Sequence, residues 1–355
     1  MKRRIYYFDI LRALAAFAVV MIHVCAAHFN TLSVNDSGWA LSNIFNGATR
    51  WAVPIFVMIS GALFLDPKKE VTVKKMYSKN ILKLAIVFIF WSFVYVIYNL
   101  CIGETSGITD SIVGLIKGYN HLWFIYMLMG LYIATPLLRM ITKDKKMLRY
   151  YLGLSLLFGI IVPGATHLIE GSVLVNYEVH VDKILGALNY ALGHANLHVF
   201  LGYVGYYLLG YYLANNDWPK NRKWILYVAG IVGVVATVAF TVVYSKLLGG
   251  KWSDYDNLSL QVLVQAVALF VLAKSLWGKK TKIGRVTKFI SDNSLGLYLI
   301  HAMLVDFIMF RLGVANWDGA LVLFTIPIIT LGVYVASVLI TWALGKIPVV
   351  GKRIV

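Results

Sequence analysis

Arg12 and His23 are the two side chains of this sequence with the clearest capacity for chemistry. Both sit in a run, Leu11 to Val24, that is otherwise Leu, Ala, Phe, Val, Met and Ile. In a helix, eleven residues at about 100° each return to within about 20° of the same face, and the two groups stand about 16 Å apart along the axis. A guanidinium in hydrocarbon costs on the order of 3 kcal/mol on insertion scales unless it faces protein or water. The pair therefore predicts a polar path with an ionisable group at each of two depths. The guanidinium suits an anion such as a phosphate. The imidazole suits proton abstraction near neutral pH, with an interhelical structural hydrogen bond as its other reading. Asp9, three residues before Arg12, is spaced to pair with it and orient the helix.

Further candidates follow along the chain. Arg50 precedes Trp51-Ala52-Val53-Pro54 near the far boundary of the second apolar run, where it either snorkels to water or holds an acceptor's phosphate or carboxylate. Ser60-Gly61 in the same run permits close helix approach. Lys79 and Lys83 are four apart at the start of the third run, and the depth of Lys83 asks for an anionic ligand. His121 opens the fourth run before Leu122-Trp123-Phe124, either as an interface anchor or on the acceptor side with His23. Ser294, Tyr298 and His301 share a helix face by their spacing, whereas Asp306 points about 140° away from His301. Glu170 belongs to the long segment 164–195, which reads as a solvated connector or as a partial lid that recognises an acceptor. No metal-ligand spacing, glycine-rich phosphate loop or nucleophile elbow occurs, so no metal is expected.

These residues need elements to position them, and the composition says which kind. The chain has 355 residues, 60% hydrophobic and 14% charged, with mean hydropathy +0.74. A soluble protein carries nearly twice that charged fraction, so the sequence predicts an all-α polytopic membrane protein. Ten spans are expected, at about 8–29, 44–65, 80–102, 121–139, 148–163, 196–213, 224–246, 258–277, 290–311 and 320–344. The net charge of +17 is gathered in short clusters between these runs, which argues against nucleic-acid binding and for loops beside anionic lipid. Segments 1–7, 66–79, 139–149, 214–223, 278–289 and 345–355 hold 24 of the 33 Lys and Arg, against Lys117, Lys183 and Lys251 in the five alternate loops. That asymmetry predicts both termini on the cytoplasmic side. The first span lacks a convincing cleavage site and is expected to be retained. One transmembrane unit over 1–355, with no appended soluble domain, completes the expectation.

Asp9-x-x-Arg12 followed by His23, the Pro54-x-Phe56-x-x-Ser60-Gly61 run, His121-Leu122-Trp123-Phe124 and Ser294 to His301 occur in that order. Together they resemble the acyltransferase family 3 membrane proteins over essentially the whole chain. The resemblance implies transfer of an acyl group, commonly acetyl, from acyl-coenzyme A to a hydroxyl of a cell-envelope glycan or related saccharide, in a bacterial-type cytoplasmic membrane. Arg12 and His23 match the family's arginine–histidine pair, and His301 matches a later histidine. Where the family often has Arg-x-x-Arg, this chain has Lys79 and Lys83, so the donor phosphates are expected at Arg12, Lys79 and Lys83. Arg50, His121 and Glu170 are the acceptor-side candidates. A transporter or exporter of a polysaccharide or small solute is the alternative, because ten helices with buried ionisable residues suit that class too.

Overall fold

The computed structural model describes residues 4–69, 72–104, 107–165, 202–253, 255–280, 282, 284–348 and 351–355. It is 81% helical, with no strand among the described residues. Nine helical stretches among them are long and apolar enough to cross a membrane. The protein is therefore a multi-pass helical membrane protein. Of the expected sixth span, the helix Val204–Asn215 is described and 196–201 lies outside the described residues.

The chain begins with α1, Tyr6–Thr31, which runs unbroken past both Arg12 and His23. The second span departs from expectation: it is two helices, α2 (Ser37–Gly47) and α3 (Ala52–Phe64). Pro54 has no N–H to give to a preceding turn, so it is accommodated in the first turn of a new helix. The hydroxyl of Thr49 donates back to Phe45 O and Asn46 O, and Trp51 Nε1 donates to Ala48 O, closing the break. Arg50 lies in that break, turned into protein.

A π-helical turn, Met76–Ile81, leads into α4, Leu82–Cys101. The connection after α4 also differs from the expected loop. It contains α5, Ile108–Lys117, which doubles back along α4. A Cβ on Gly114 would meet Val96, and one on Gly118 would meet Phe88 at 2.9 Å, so the chain descends α4 by about two turns between them. Gly118 has φ +71°, a left-handed turn made where no side chain fits. The next helix, α6 (Trp123–Lys143), therefore starts inside the bundle rather than at its edge.

The helices that follow among the described residues include α7 (Lys145–Leu156), α8 (Val204–Asn215), α9 (Lys223–Leu247), α10 (Leu260–Trp277), α11 (Arg285–Asp292), α12 (Ser294–Asp306), α13 (Leu321–Leu344) and the short α14 (Gly351–Ile354). α3 crosses α8 at very short range. A Cβ on Gly61 would stand 1.7 Å from Tyr207 O, and one on Gly210 2.0 Å from Met58 O. Backbones this close exploit dispersion where lipid offers no hydrophobic drive. At the basic end of the bundle, Arg139 and Thr142 of α6 donate to Phe64 O and Leu65 O, both at 2.9 Å. They satisfy carbonyls that the end of α3 leaves open.

Candidate active site

The bundle brings three imidazoles together. The ring centroids of His23 and His301 are 5.0 Å apart, those of His121 and His301 5.2 Å, and those of His23 and His121 6.4 Å. His23 comes from the middle of α1 and His301 from α12; His121 sits in the 3-10 turn Asn120–Leu122 just before α6. The folding back of α5 corrects the expected place of His121: it is buried at the depth of the other two histidines, not at the far boundary.

His301 is fully buried, and its Nδ1 lies 2.6 Å from Tyr298 O. A carbonyl only accepts, so Nδ1 carries a proton, and Nε2 is the nitrogen that holds the lone pair whenever the ring is neutral. That Nε2 and both His121 nitrogens are buried with no hydrogen-bond partner among the described residues. Buried polar atoms are ordinarily paired, and orphans gathered in one place mark a reactive or ligand-binding region. His23 is half-buried, so a surface of its ring remains open. Tyr298 closes one side of the group, its ring centroid 5.1 Å from that of His121 and its hydroxyl donating to His121 O.

A cavity of about 360 Å³ leads from the basic end to Tyr298, whose ring lies against those of His121 and His301. Arg12, Lys79 and Lys83 all line it, as do Tyr132, Phe124 and, at its inner end, Tyr298. Among its described lining residues no Asp or Glu occurs, so three cations face a largely apolar space that carries only neutral polar groups. Lys79 is carried by the π-helical turn, a departure from regular helix that recurs at functional sites. Lys83 Nζ donates to Val355 O at 3.0 Å.

Asp9 and Arg12 do pair, at 3.3 Å, but this is the weakest of the contacts to Asp9. Arg4 donates to both Asp9 oxygens at 2.7 and 2.8 Å, and Ser291 Oγ donates at 2.7 Å, so the fully buried carboxylate is held chiefly by others. Arg12 keeps most of its five donors for the cavity. Arg4 and Ser291 carry no sequence signal of their own; Arg4 reads as an ordinary charged flank.

Not every candidate joins the cluster. Arg50 donates to Asn46 Oδ1 and lies over the Tyr255 ring, 4.2 Å from its centroid, with Nε buried and unpartnered among the described residues. It is engaged with protein and does not snorkel. His28 is fully buried, with Nδ1 3.2 Å from Ala315 O. Glu170 lies outside the described residues. Among the described residues, no set of three His, Cys, Asp or Glu side chains is disposed to hold a metal ion.

The fold and site together define a helical membrane protein with a ligand-sized cationic cavity that ends at Tyr298, beside three clustered imidazoles. The acyltransferase family 3 profile, described as an acyltransferase domain, matches residues 5–346, and the chain belongs to that family. It is a membrane acyltransferase. Neither a curated protein nor a solved structure matches the chain.

Proposed function

We propose that the protein is an O-acyltransferase of a bacterial-type cytoplasmic membrane that moves an acyl group, acetyl foremost, from acyl-coenzyme A to a hydroxyl of a cell-envelope glycan or lipid-linked saccharide. The observation that carries this reading is the single cavity shared by Arg12, Lys79 and Lys83 that ends at Tyr298, in ring contact with His121 and His301. Three cations without a lining carboxylate suit the donor's phosphates, and the apolar walls beyond them suit its pantetheine arm. The clustering of positive charge at one end of the bundle supports donor approach from the cytoplasm, with both termini on that side.

In the reaction, His23 takes the proton of the acceptor hydroxyl as its oxygen attacks the thioester carbonyl carbon. A C–O bond forms, the C–S bond breaks on collapse of the tetrahedral intermediate, and the coenzyme A thiolate leaves with the proton returned from the imidazole. His301 supports this role from 5.0 Å away. Burial of the cluster favours the reaction in a second way. Donors and dipoles act more strongly on the developing oxyanion where water is excluded.

The test is incubation of the purified protein with labelled acetyl-coenzyme A and envelope glycans. Label in the glycan, lost in His23→Ala while the variant still binds donor, supports the reading. Solute movement across proteoliposomes with no modification of the solute overturns it in favour of transport.

A further inference from the structure

A second, larger cavity of about 500 Å³ opens at the end of the bundle opposite the basic clusters. Its described lining includes Asn99, Glu104, Tyr119, Asn120, Asp306 and Arg311. Two helices run from one cavity to the other. On α4, Lys83 lines the first and Asn99 the second, sixteen residues or about 24 Å apart. On α12, Tyr298 lines the first and Asp306 the second, with His301 between them. The histidine cluster is the partition.

On the far side of that partition, the rings of Tyr95 and Tyr119 stack at 4.4 Å and 17° and both line the second cavity. Both also touch His121, at 5.2 and 5.8 Å between centroids. His121 is 3% exposed, with neither ring nitrogen partnered among the described residues. Thus an aromatic pair lies against a buried imidazole.

The two cavities differ in charge. The second contains two carboxylates and one guanidinium, and Arg311 is already engaged by both, 2.9 Å from Glu104 and 3.6 Å from Asp306. Tyr98 donates a further hydrogen bond to Asp306 at 2.6 Å. The described charged lining is therefore net negative, with its one cation spent.

We infer that this far-end vestibule is the acceptor site, and that it takes a neutral or amine-bearing saccharide in preference to one carrying uronate or phosphate. The inference rests on the acyl-transfer reading above and adds the place and charge class of the acceptor. Amides both accept from and donate to vicinal hydroxyls, carboxylates accept from them, and an aromatic ring takes the C–H face of a pyranose. The volume lies within the range of ordinary small-ligand sites, enough for one or two sugar rings. An anionic acceptor would meet two carboxylates whose one described lining cation, Arg311, is already paired with both, which costs binding. Docked there, an acceptor lies against the Tyr95–Tyr119 pair that covers His121, at the end of the bundle opposite the donor cations, so donor and acceptor need not share an entrance.

The experiment measures labelled acetyl transfer from acetyl-coenzyme A by the full chain in detergent to chitobiose, glucosamine oligomers and oligoglucuronate. The variants are Glu104→Gln and Asn120→Ala, with Asp306→Asn as a third that also tests the Tyr98 and Arg311 contacts. The expected result is transfer to the neutral and amino sugars, with acceptor KM raised about tenfold in Asn120→Ala, equivalent to about 1.4 kcal/mol, and donor KM unchanged. Glu104→Gln should narrow the discrimination against oligoglucuronate. Preference for oligoglucuronate, unchanged acceptor KM in all three variants, or donor binding without transfer to any of the sugars overturns the vestibule assignment and leaves the donor cavity standing. Failure of the wild-type protein to bind acetyl-coenzyme A overturns the acyl-transfer reading itself, and this inference with it.

Discussion

The imidazole of His301 lies 5.0 Å from that of His23, although one belongs to the first helix of the chain and the other to α12. The proton on His301 Nδ1 is fixed by Tyr298 O, so its Nε2 is the nitrogen able to accept. Two rings in contact within one buried cluster should act as a unit. We predict that His23→Ala lowers kcat by at least about 100-fold, the lower range for a positioned general base. His301→Ala should fall by a similar factor, and the double variant by little more than either alone. Single-turnover transfer of labelled acetyl, alongside melting curves to establish folding, reads this. Losses that multiply in the double variant would mean the two rings act independently.

Arg12 supplies the second prediction. Because Arg4 and Ser291 hold Asp9, replacing Arg12 does not leave that buried carboxylate alone. Arg12→Gln should therefore raise donor KM about 10- to 100-fold, the range for a lost hydrogen bond to a charged group, with little change in melting temperature. Lys83→Gln should cost less, since Lys83 already spends a hydrogen bond on Val355 O. A donor titration by calorimetry on the purified variants measures both. An unchanged donor affinity in Arg12→Gln would remove the phosphate role.

Much of the site was legible in one dimension because helix periodicity is a strong constraint. The apolar run around Arg12 and His23 could only be a helix, and Tyr298 and His301 share a face by count. Lys79 and Lys83 line the same cavity as Arg12. What periodicity does not carry is the path between helices. The depth of His121 depends on α5 folding back along α4, and an amphipathic ten-residue helix ending at a glycine reads as a loop. The turning inward of Arg50 depends on the break before Pro54. The hold of Arg4 on Asp9 is a contact within the chain's first ten residues that any flexible charged flank could have missed making. The far-end vestibule gathers Asn99, Asn120 and Asp306 from three separate elements, and no spacing links them.

A pH effect on stability is expected where α8 meets α10. Lys274 donates to Leu213 O and Asn216 O at 2.9 and 3.0 Å and pairs with Asp217 at 2.8 Å. The hydrogen bond from Lys274 holds the Asp217 carboxyl below its ordinary value. A depressed carboxyl contributes stability that is present above its unfolded pKa, about 3.9, and is lost as pH falls through the folded value. Asp217 is 87% exposed, and pairs of that kind contribute no more than about 1 kcal/mol. Asp217→Asn should therefore melt slightly below wild type at pH 6 in low salt, with the difference shrinking as pH falls below about 3.9. A difference that does not shrink on acidification would assign the effect to packing.

The α3–α8 crossing gives the sharpest structural prediction. At Gly61 an added methyl would overlap Tyr207 O, and at Gly210 it would overlap Met58 O. Neither neighbour is a flexible side-chain tip; both are helix backbone, so relief requires the two helices to separate. Overpacking of a tight core ordinarily costs about 1–3 kcal/mol, and here no rotamer change can absorb it. Gly61→Ala and Gly210→Ala should each lower stability by at least about that amount. Separation at Gly61 also moves Ser60, which lines the donor cavity, so activity should fall before the protein unfolds. By contrast, a methyl at Gly130 on α6 meets nothing within 4 Å, and Gly130→Ala serves as the matched control. Melting curves and donor KM for the three variants in one detergent decide the matter. Wild-type behaviour of both crossing variants would mean that α3 and α8 do not pack at this distance.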